Sequence, residues 1–400
     1  MPIELNAGTE RGADLVARAQ RLAADLAARA AGHDREASYP FAGIDALHEA
    51  RYFAAAVPVE LGGLGVTSVR DLVVAASRLA RGDASVAIGV NMHTVVVRNV
   101  VERWRRAVAD GKERRAAAFG ADLEAVARDR AVIATAISEP GQDLTRPATT
   151  ATRTASGWLV EGRKIFCTMS PAATVLYTAV RFVDPRRGER YGYARVPADA
   201  PGVVVHDDWD ALGMRASGSH SISFEGVELP EAALGGGFPL GSAEPYMEAN
   251  LTAGLFHASA SLGIAEAAHR LTADALAGRI REGRATTLVA ESAIDLSAAR
   301  GALARAADLV DAHWADDDEA GDVVALFAEA QATKTFVNEA AVRVVDRALS
   351  LSGGAGYLNG HPLARAYRDV RAGGFMHPLG ANRAYELLGE VSLGKEPALH

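Results

Sequence analysis

Apolar residues recur every three to four positions through the first third of the chain. Between residues 13 and 31 they are Leu15, Ala19, Leu22, Leu26 and Ala30. This spacing puts them on one face of a helix, and it predicts further helices over residues 40–53, 68–80, 83–104 and 107–126. The glycines at 62, 63 and 65 predict a loop, because they tolerate backbone angles that helices do not use. Residues 1–129 are therefore predicted to form an N-terminal helical domain.

The pattern changes near residue 130 to short runs in which apolar and polar residues alternate. These runs are rich in Thr, Val and Tyr, and Gly and Pro separate them. They predict strands over residues 157–168, 172–180, 203–206 and 219–224. Residues 130–237 are therefore predicted to form a β-domain, either a barrel or a sandwich, which ends at the flexible glycines 235–237.

Helical spacing returns after Pro245 and continues almost to the C-terminus. Residues 247–277 are apolar nearly all round and predict a buried helix. Further helices are predicted over residues 291–314, 323–351 and 380–391, and Gly353–Gly356 is predicted to end the third of these four by a C-cap. The acidic run 316–322 predicts a solvated turn. Residues 238–400 are therefore predicted to form a C-terminal helical bundle.

Composition narrows the class of protein. The 400 residues include 42 Lys and Arg against 50 Asp and Glu, a formal net charge of −8, so we expect no nucleic-acid partner. The single cysteine, Cys167, excludes an internal disulfide and favours a cytoplasmic location. The histidines lack ligand-like spacing, so no metal site is expected. No membrane span is expected either, because no stretch approaches about 20 apolar residues, and the N-terminus lacks the features of a secretion signal.

The segment from Ile133 to Phe182 contains the first candidate chemistry. It begins with a Ser-Glu-Pro-Gly turn at Ser138, and its strand-like runs carry Phe166 and Thr168. Two hydroxyls and an aromatic ring in such strands can contact the edge of a flat polar ring. The alternative is an ordinary strand pair in which the hydroxyls bond only to local backbone groups.

The order of short motifs resembles the acyl-CoA dehydrogenase superfamily. The pattern S-E-P-G-x-D, followed by G-x-x-x-x-G-x-K-x-F-x-T, is similar to that family's flavin-facing segment. Similar pieces follow the family's order at residues 57–65, 211–217, 353–357 and 365–371. The resemblance implies an α+β fold with an N-terminal helical domain, a middle β-domain and a C-terminal four-helix bundle. It also implies FAD between the last two domains, usually in a homo-oligomer, either a dimer or a tetramer.

Residue roles follow from the same resemblance. It implies that Ser138 and Thr168 bond to the flavin ring edge and that Phe166 stacks beside the ring. It places Gly353 and Gly354 at the cofactor, and Arg281 at a neighbouring subunit's flavin pyrophosphate. A solvated charge at a helix end is the alternative for Arg281.

The chain departs from the family where thioester oxidation needs its base. The usual Tyr-Glu-Gly-Thr run reads Phe375-Met376-His377-Pro378, so His377 replaces the glutamate. The alternative base position, near residues 250–254, offers no carboxylate, and Glu248 lies about a turn too early. The Glu139-Pro-Gly-Gln-Asp143 loop is two residues shorter than the family's and lacks a serine. The Phe of the Arg-x-x-Phe-Gly motif is also absent after Arg281.

These departures resemble the monooxygenase branch of the superfamily. Its members take reduced flavin from a separate reductase and use O2 to form a C4a-hydroperoxyflavin. The resemblance therefore implies FADH2, with FMN as the alternative, and a small aromatic or electron-rich substrate such as a phenol or indole. His93 and His377 are the candidate catalytic residues, with a core role as the alternative for His93. His220, His257 and His361 are expected to have structural or surface roles. The competing functions are an atypical acyl-CoA or acyl-carrier-protein dehydrogenase and a flavin-free scaffold.

Overall fold

The N-terminal part of the protein is helical. The computed structural model describes residues 4–128, 130–141, 143–277, 283–315, 322–397 and 399. Its first helices are α1 (Glu10–Glu36), α2 (Phe41–Glu49), α3 (Val69–Ala80), α4 (Ala84–Ala109) and α5 (Glu113–Arg128). Side chains of Thr9, Ser68 and Asp83 cap the N-termini of α1, α3 and α4. The helix predicted from residue 107 begins later, because α4 continues to Ala109 and a turn at Gly111 precedes α5.

Helix α4 forms the centre of this part. It is long and apolar enough to cross a membrane, with a mean hydropathy of 1.3 over its most apolar window, a property that the sequence analysis missed. However, 89% of that window is buried inside the protein. The apolar sequence of α4 is therefore explained by packing against α3, α5 and the C-terminal helix at residues 253–276.

The middle part is one mixed sheet of eight strands. They are β1 (Ile133–Ala136), β2 (Thr150–Arg153), β3 (Gly157–Cys167), β4 (Val175–Asp184), β5 (Gly188–Pro197), β6 (Val203–Val205), β7 (His220–Pro230) and β8 (Phe238–Pro239). The strands pair in the order β6-β7-β3-β2-β4-β5-β8, and β1 pairs in parallel with β4. Trp158, Leu176, Phe182 and Phe224 lie in the apolar core of this sheet.

The C-terminal part is again helical, with α6 (Glu244–Ala249), α7 (Ala253–Leu276), α8 (Arg284–Ala315), α9 (Val323–Leu351), α10 (Pro362–Asp369) and α11 (Ala381–Ser392). Helix α9 packs against α7, α8 and α11. Gly353 takes a positive φ of 65° just after α9, as the predicted C-cap requires. Most of the acidic run 316–322 lies outside the described residues.

The helix predicted over residues 247–277 is broken at Asn250. This residue leaves helical geometry, with a φ of −119° and a ψ of 12°, and ends α6. Its side-chain amide donates to the Tyr246 carbonyl at 2.8 Å. An asparagine that bonds to nearby backbone in this way competes with helix continuation. The break separates α6 from α7 and turns the Asn250 side chain toward the C-terminal loop.

Polar contacts join the three parts beside α10. Arg368 pairs with Asp34 of α1, and the Met214 N–H of the β6–β7 connection donates to Asp369 at 2.7 Å. A side chain at Gly213 would collide with the Arg368 backbone, because its Cβ would lie 2.4 Å from the Arg368 carbonyl carbon. The Ala211–Ser217 motif is therefore a packing motif that brings the sheet against the C-terminal helices.

Candidate active site

A cavity of about 580 Å³ lies where the three parts meet. One side, which we call the sheet wall, carries Ser138, Phe166, Thr168 and Ser219. The other side, the helical wall, carries Asn250, Ala253, His257, Met376 and His377. Ile88, Met92, Val95 and Val96 of α4 add an apolar surface. The volume suits a ring system together with a small substrate.

The Ser-Glu-Pro-Gly turn is held from below by a buried ion pair. Glu139 accepts from Lys164 Nζ at 2.7 Å, and the two side chains are 4% and 0% exposed. It also accepts hydrogen bonds from the Ala148 N–H and from the backbone and hydroxyl of Thr149. Burial opposes its ionisation, but the Lys164 charge and these hydrogen bonds hold the pKa of Glu139 below its usual range. The motif glutamate and lysine therefore support the turn that presents Ser138.

Phe166 projects from the sheet because β3 is irregular there. The pairing of β3 with β7 shifts register between Lys164 and Cys167, and Phe166 takes a positive φ of 57°. Its side chain faces the cavity and is 61% exposed, in edge contact with Trp209. A strained, exposed aromatic residue beside a cavity fits a stacking partner for a flat ring.

Three hydroxyls form a chain along the sheet wall. Thr168 Oγ1 lies 3.0 Å from Ser219 Oγ, which lies 2.7 Å from Ser217 Oγ. The Ser138 carbonyl accepts from the Ile165 N–H at 2.9 Å, so the backbone of the turn is fixed to β3. The structure thus brings Ser138, Phe166 and Thr168 together in one wall. Donors, acceptors and an aromatic ring at one edge of a cavity fit an isoalloxazine ring.

His377 lies in the helical wall and is fixed by Asn250. Its Nε2 is 2.7 Å from Asn250 Oδ1. The Asn250 amide nitrogen already donates to Tyr246, so Oδ1 must accept and Nε2 must carry the proton. Burial, with the nearby Lys334 charge, lowers the pKa of His377 to about 3. The ring is therefore neutral, its one N–H is committed to Asn250, and Nδ1 is its remaining acceptor.

His93 does not line the cavity, and its catalytic role stays a prediction. It is fully buried, its Nε2 lies 3.0 Å from the Phe53 carbonyl oxygen, and its Nδ1 accepts from the Ile133 N–H at 3.1 Å. Burial lowers the pKa of His93 to about 4. Both ring nitrogens therefore join α4 to neighbouring backbone, which matches the core alternative.

The other predicted cofactor residues lie away from the cavity or outside the described residues. Gly353 and Gly354 are exposed on the short 3-10 helix after α9 and do not line the cavity. Arg281 lies outside the described residues. Flavin contacts by these three residues stay predictions.

The described residues place no carboxylate base deep in the cavity. Among the described residues that line it, only Asp210 carries a carboxylate, and that side chain is 95% exposed and lies 3.6 Å from Arg215. Glu248 does not line the cavity and instead contacts His313 and Trp314. The helical wall therefore offers a neutral imidazole and an amide where proton abstraction from a thioester needs a carboxylate.

Three features of the helical wall were not predicted from the sequence: the role of Asn250, the position of Lys334 and the position of His257. Lys334 of α9 is buried, and its Nζ donates to the Met376 and Leu379 carbonyls on either side of His377. Burial lowers the pKa of Lys334 to about 7. His220 and His361 accept backbone N–H groups, consistent with structural roles, but His257 lines the cavity. A polar residue inside the apolar run 255–260 was the available signal.

Family models cover most of the chain. Residues 9–106 match the N-terminal domain of acyl-CoA dehydrogenase, residues 134–227 its middle domain and residues 255–378 its C-terminal domain. The amino sugar nitrososynthase DnmZ of Streptomyces peucetius is 34% identical over 97% of this chain and 95% of its own length.

Solved structures agree with these matches. KijD3, in a complex with FMN and dTDP-3-amino-2,3,6-trideoxy-4-keto-3-methyl-D-glucose, is 32% identical, with a TM-score of 0.89 over 98% of this chain and 96% of its own. FMN-bound TdsC of a Paenibacillus species is 21% identical, with a TM-score of 0.82 over 97% and 99% of the two chains, and shares the fold. The complete set of three domain matches and the full-length similarity establish that the chain belongs to the acyl-CoA dehydrogenase superfamily.

Proposed function

We propose that this protein is a flavin-dependent oxygenase that oxidises the amino group of an amino sugar carried on a nucleoside diphosphate. The observation that carries the proposal is the helical wall, where a neutral His377 held by Asn250 replaces the carboxylate needed for thioester oxidation. Similarity to DnmZ and KijD3 over nearly the whole chain supports an amino sugar as the substrate class. The phenol or indole expected from the sequence is revised for that reason.

The reaction balances with one O2 and one reduced flavin for each oxidation. The amine and O2 take two hydrogens from the flavin and give a hydroxylamine and water. A second cycle uses another O2 and another reduced flavin, converts the hydroxylamine to a nitroso group and releases two molecules of water. The reduced flavin supplies the electrons and activates O2, and the amine must be unprotonated because its lone pair forms the new N–O bond.

The residues of this chain would bind the flavin, orient the substrate and exclude water from the cavity. The hydroxyls of Ser138 and Thr168 and the ring of Phe166 would hold the flavin, and the apolar residues of α4 would keep the reacting atoms dry. His377 Nδ1 can accept a hydrogen bond but cannot donate one while the ring is neutral. We therefore assign His377 the role of acceptor and assign it no part in the protonation of a bound oxygen species.

Arginine at the cavity suits the phosphate groups of a nucleotide. Arg371 lines the cavity, stacks on the Tyr367 ring and donates to its hydroxyl at 2.9 Å. Among the described residues no carboxylate pairs with Arg371, whereas Arg368 is paired with Asp34. A guanidinium with free donors binds phosphate oxygens well.

A separate reductase would supply the reduced flavin, and the protein would act as a homo-oligomer. Both stay proposals, as does the choice between FAD and FMN. KijD3 with FMN and the acyl-CoA dehydrogenase domains support a flavin in general.

The test supplies the purified protein with a flavin reductase, NADH, O2 and either FAD or FMN. The substrate is a dTDP-3-amino sugar, and the control is the same nucleotide sugar with a hydroxyl group at that position. We expect products whose masses correspond to the hydroxylamine and the nitroso sugar, and no product from the control. Unchanged amino sugar, together with anaerobic bleaching of bound FAD by an acyl-CoA, would favour a dehydrogenase instead.

A further inference from the structure

His257 stands apart from the other deep polar side chains of the cavity. It lies on α7, and its side chain is only 4% exposed. Neither of its ring nitrogens has a hydrogen-bond partner among the described residues. Asn99 donates to the Ala249 carbonyl, and Asn250 and His377 bond to each other, so these neighbours are satisfied within the protein.

The His257 ring also lines the same cavity as His377. Asn250, Ala253 and His257 are spaced by three and four residues, and all three line the cavity together with His377. Lys334 lies close enough to act on His257, but it already donates to two carbonyls of the loop beside it. Burial, then the charge of Lys334, lowers the pKa of His257 well below its usual range. The ring is therefore neutral, with one N–H donor and one acceptor.

A buried imidazole with two unused nitrogens is costly, because each unmade hydrogen bond leaves a desolvated polar group. Part of this cost is removed when a ligand reaches one of the nitrogens. An amino sugar can do so, because its amine donates hydrogen bonds and its oxygens accept them. His377 offers only an acceptor, because its one N–H is bonded to Asn250.

We propose that His257 is a substrate-binding residue that orients the amino sugar, with one ring nitrogen accepting a hydrogen bond from the amine. This inference rests on the proposed function and deepens it. The neutral ring accepts a hydrogen bond and thereby orients the amine. No proton transfer is required of His257.

The test compares His257→Leu, His257→Gln and the wild type. Leucine fills similar space without polar atoms, and glutamine restores one donor and one acceptor. The control is His269→Leu, on the same helix and outside the cavity lining. Measurements are the thermal midpoint without ligand, the Kd for flavin, the Kd for the dTDP-3-amino sugar in the absence of O2, and the product formed per flavin oxidised.

We expect His257→Leu to fold with an equal or higher thermal midpoint and to bind flavin as the wild type does. Its Kd for the amino sugar should rise about tenfold, as loss of hydrogen bonds in a dry site implies, and the product per flavin should fall. His257→Gln should recover part of the affinity for the amino sugar and part of the product per flavin. His269→Leu should match the wild type in both measurements.

Three outcomes count against the inference in distinguishable ways. In the first, the wild type oxidises the amino sugar and His257→Leu stays within twofold of it in Kd and product yield. This result leaves the proposed function intact and removes His257 from substrate binding. A wild type that neither binds nor oxidises the sugar removes the proposed function and this inference with it. A lower thermal midpoint for His257→Leu would show that the ring is satisfied in the free protein, and this too counts against the inference.

Discussion

The two walls of the cavity are built in different ways. The sheet wall takes three of its four residues, Ser138, Phe166 and Thr168, from one continuous segment, fixed by the Glu139–Lys164 pair beneath it. The fourth, Ser219, comes from just before β7. The helical wall joins groups that are distant in sequence, such as His377 and Asn250, which are 127 positions apart. The sheet-wall motif resembles the flavin-facing segment of the acyl-CoA dehydrogenase superfamily, whereas His377 stands where that family's glutamate is expected. We therefore expect mutations in the two walls to affect cofactor binding and reaction type separately.

The largest effect is expected at the Glu139–Lys164 pair, which supports the sheet wall. Lys164→Met leaves the Glu139 carboxylate buried without its cation, so the free energy of unfolding should fall by about 3–5 kcal/mol, with flavin binding lost. Urea denaturation and flavin titration measure these changes. Glu139→Gln combined with Lys164→Met removes both charges and should recover most of the stability. Equal destabilisation in the single and double variants would refute a role for the unpaired charge.

The second prediction tests the junction between the sheet and α10. Burial raises the pKa of Asp369 to about 7 from an ordinary 3.8. The folded state thus binds the proton more tightly, so this stabilisation is complete below about pH 4 and is lost as the pH rises through 7. Asp369→Asn removes the effect while keeping an acceptor for the Met214 N–H.

We expect wild type and Asp369→Asn to have similar stability near pH 4. Above pH 7 the wild type should be less stable than the variant by up to about 4 kcal/mol. Urea midpoints measured for both proteins across this range check the difference. Parallel curves would indicate that Asp369 is ionised in the folded protein.

The third prediction separates the two candidate histidines by stability. His93→Ala leaves the Phe53 carbonyl and the Ile133 N–H buried without partners, so the free energy of unfolding should fall by about 2–4 kcal/mol. Turnover per folded molecule should be unchanged. His48→Ala, at a half-buried neighbour, should cost less in the same urea titration. A stable His93→Ala protein that binds flavin but makes no product would return His93 to catalysis.

The smallest expected effect concerns His377. His377→Leu should bind flavin normally and lose roughly tenfold to hundredfold in product formation, because an acceptor at the reacting centre is removed. The folded pKa of His377 is about 3, so the ring gains no charge between pH 5 and 8. The pH profile of turnover should therefore keep its shape in this range in His377→Leu. A transition near pH 6 that disappears in the variant would contradict the neutral ring.

Local patterns in the sequence determined the three-part order and the sheet wall. Helical and alternating spacing indicate helices, then strands, then helices, because each period reflects the geometry of its own element. Ser138, Phe166 and Thr168 could be identified together since about thirty residues of one motif contain them. The break at Asn250 was missed, because the hydrogen bond of one side chain overrides an otherwise helical run.

Only the tertiary structure decided what each histidine does. His93 and His257 both lie in apolar helical runs and look alike in sequence, yet His93 bonds to two backbone groups, whereas His257 has no hydrogen-bond partner in the part of the chain that the structure describes. The partners of a buried ring come from distant elements, and a local pattern contains no information about them. For the same reason, the pairing of His377 with Asn250, which removes its only donor, emerges only when α6 and the loop before α11 pack together.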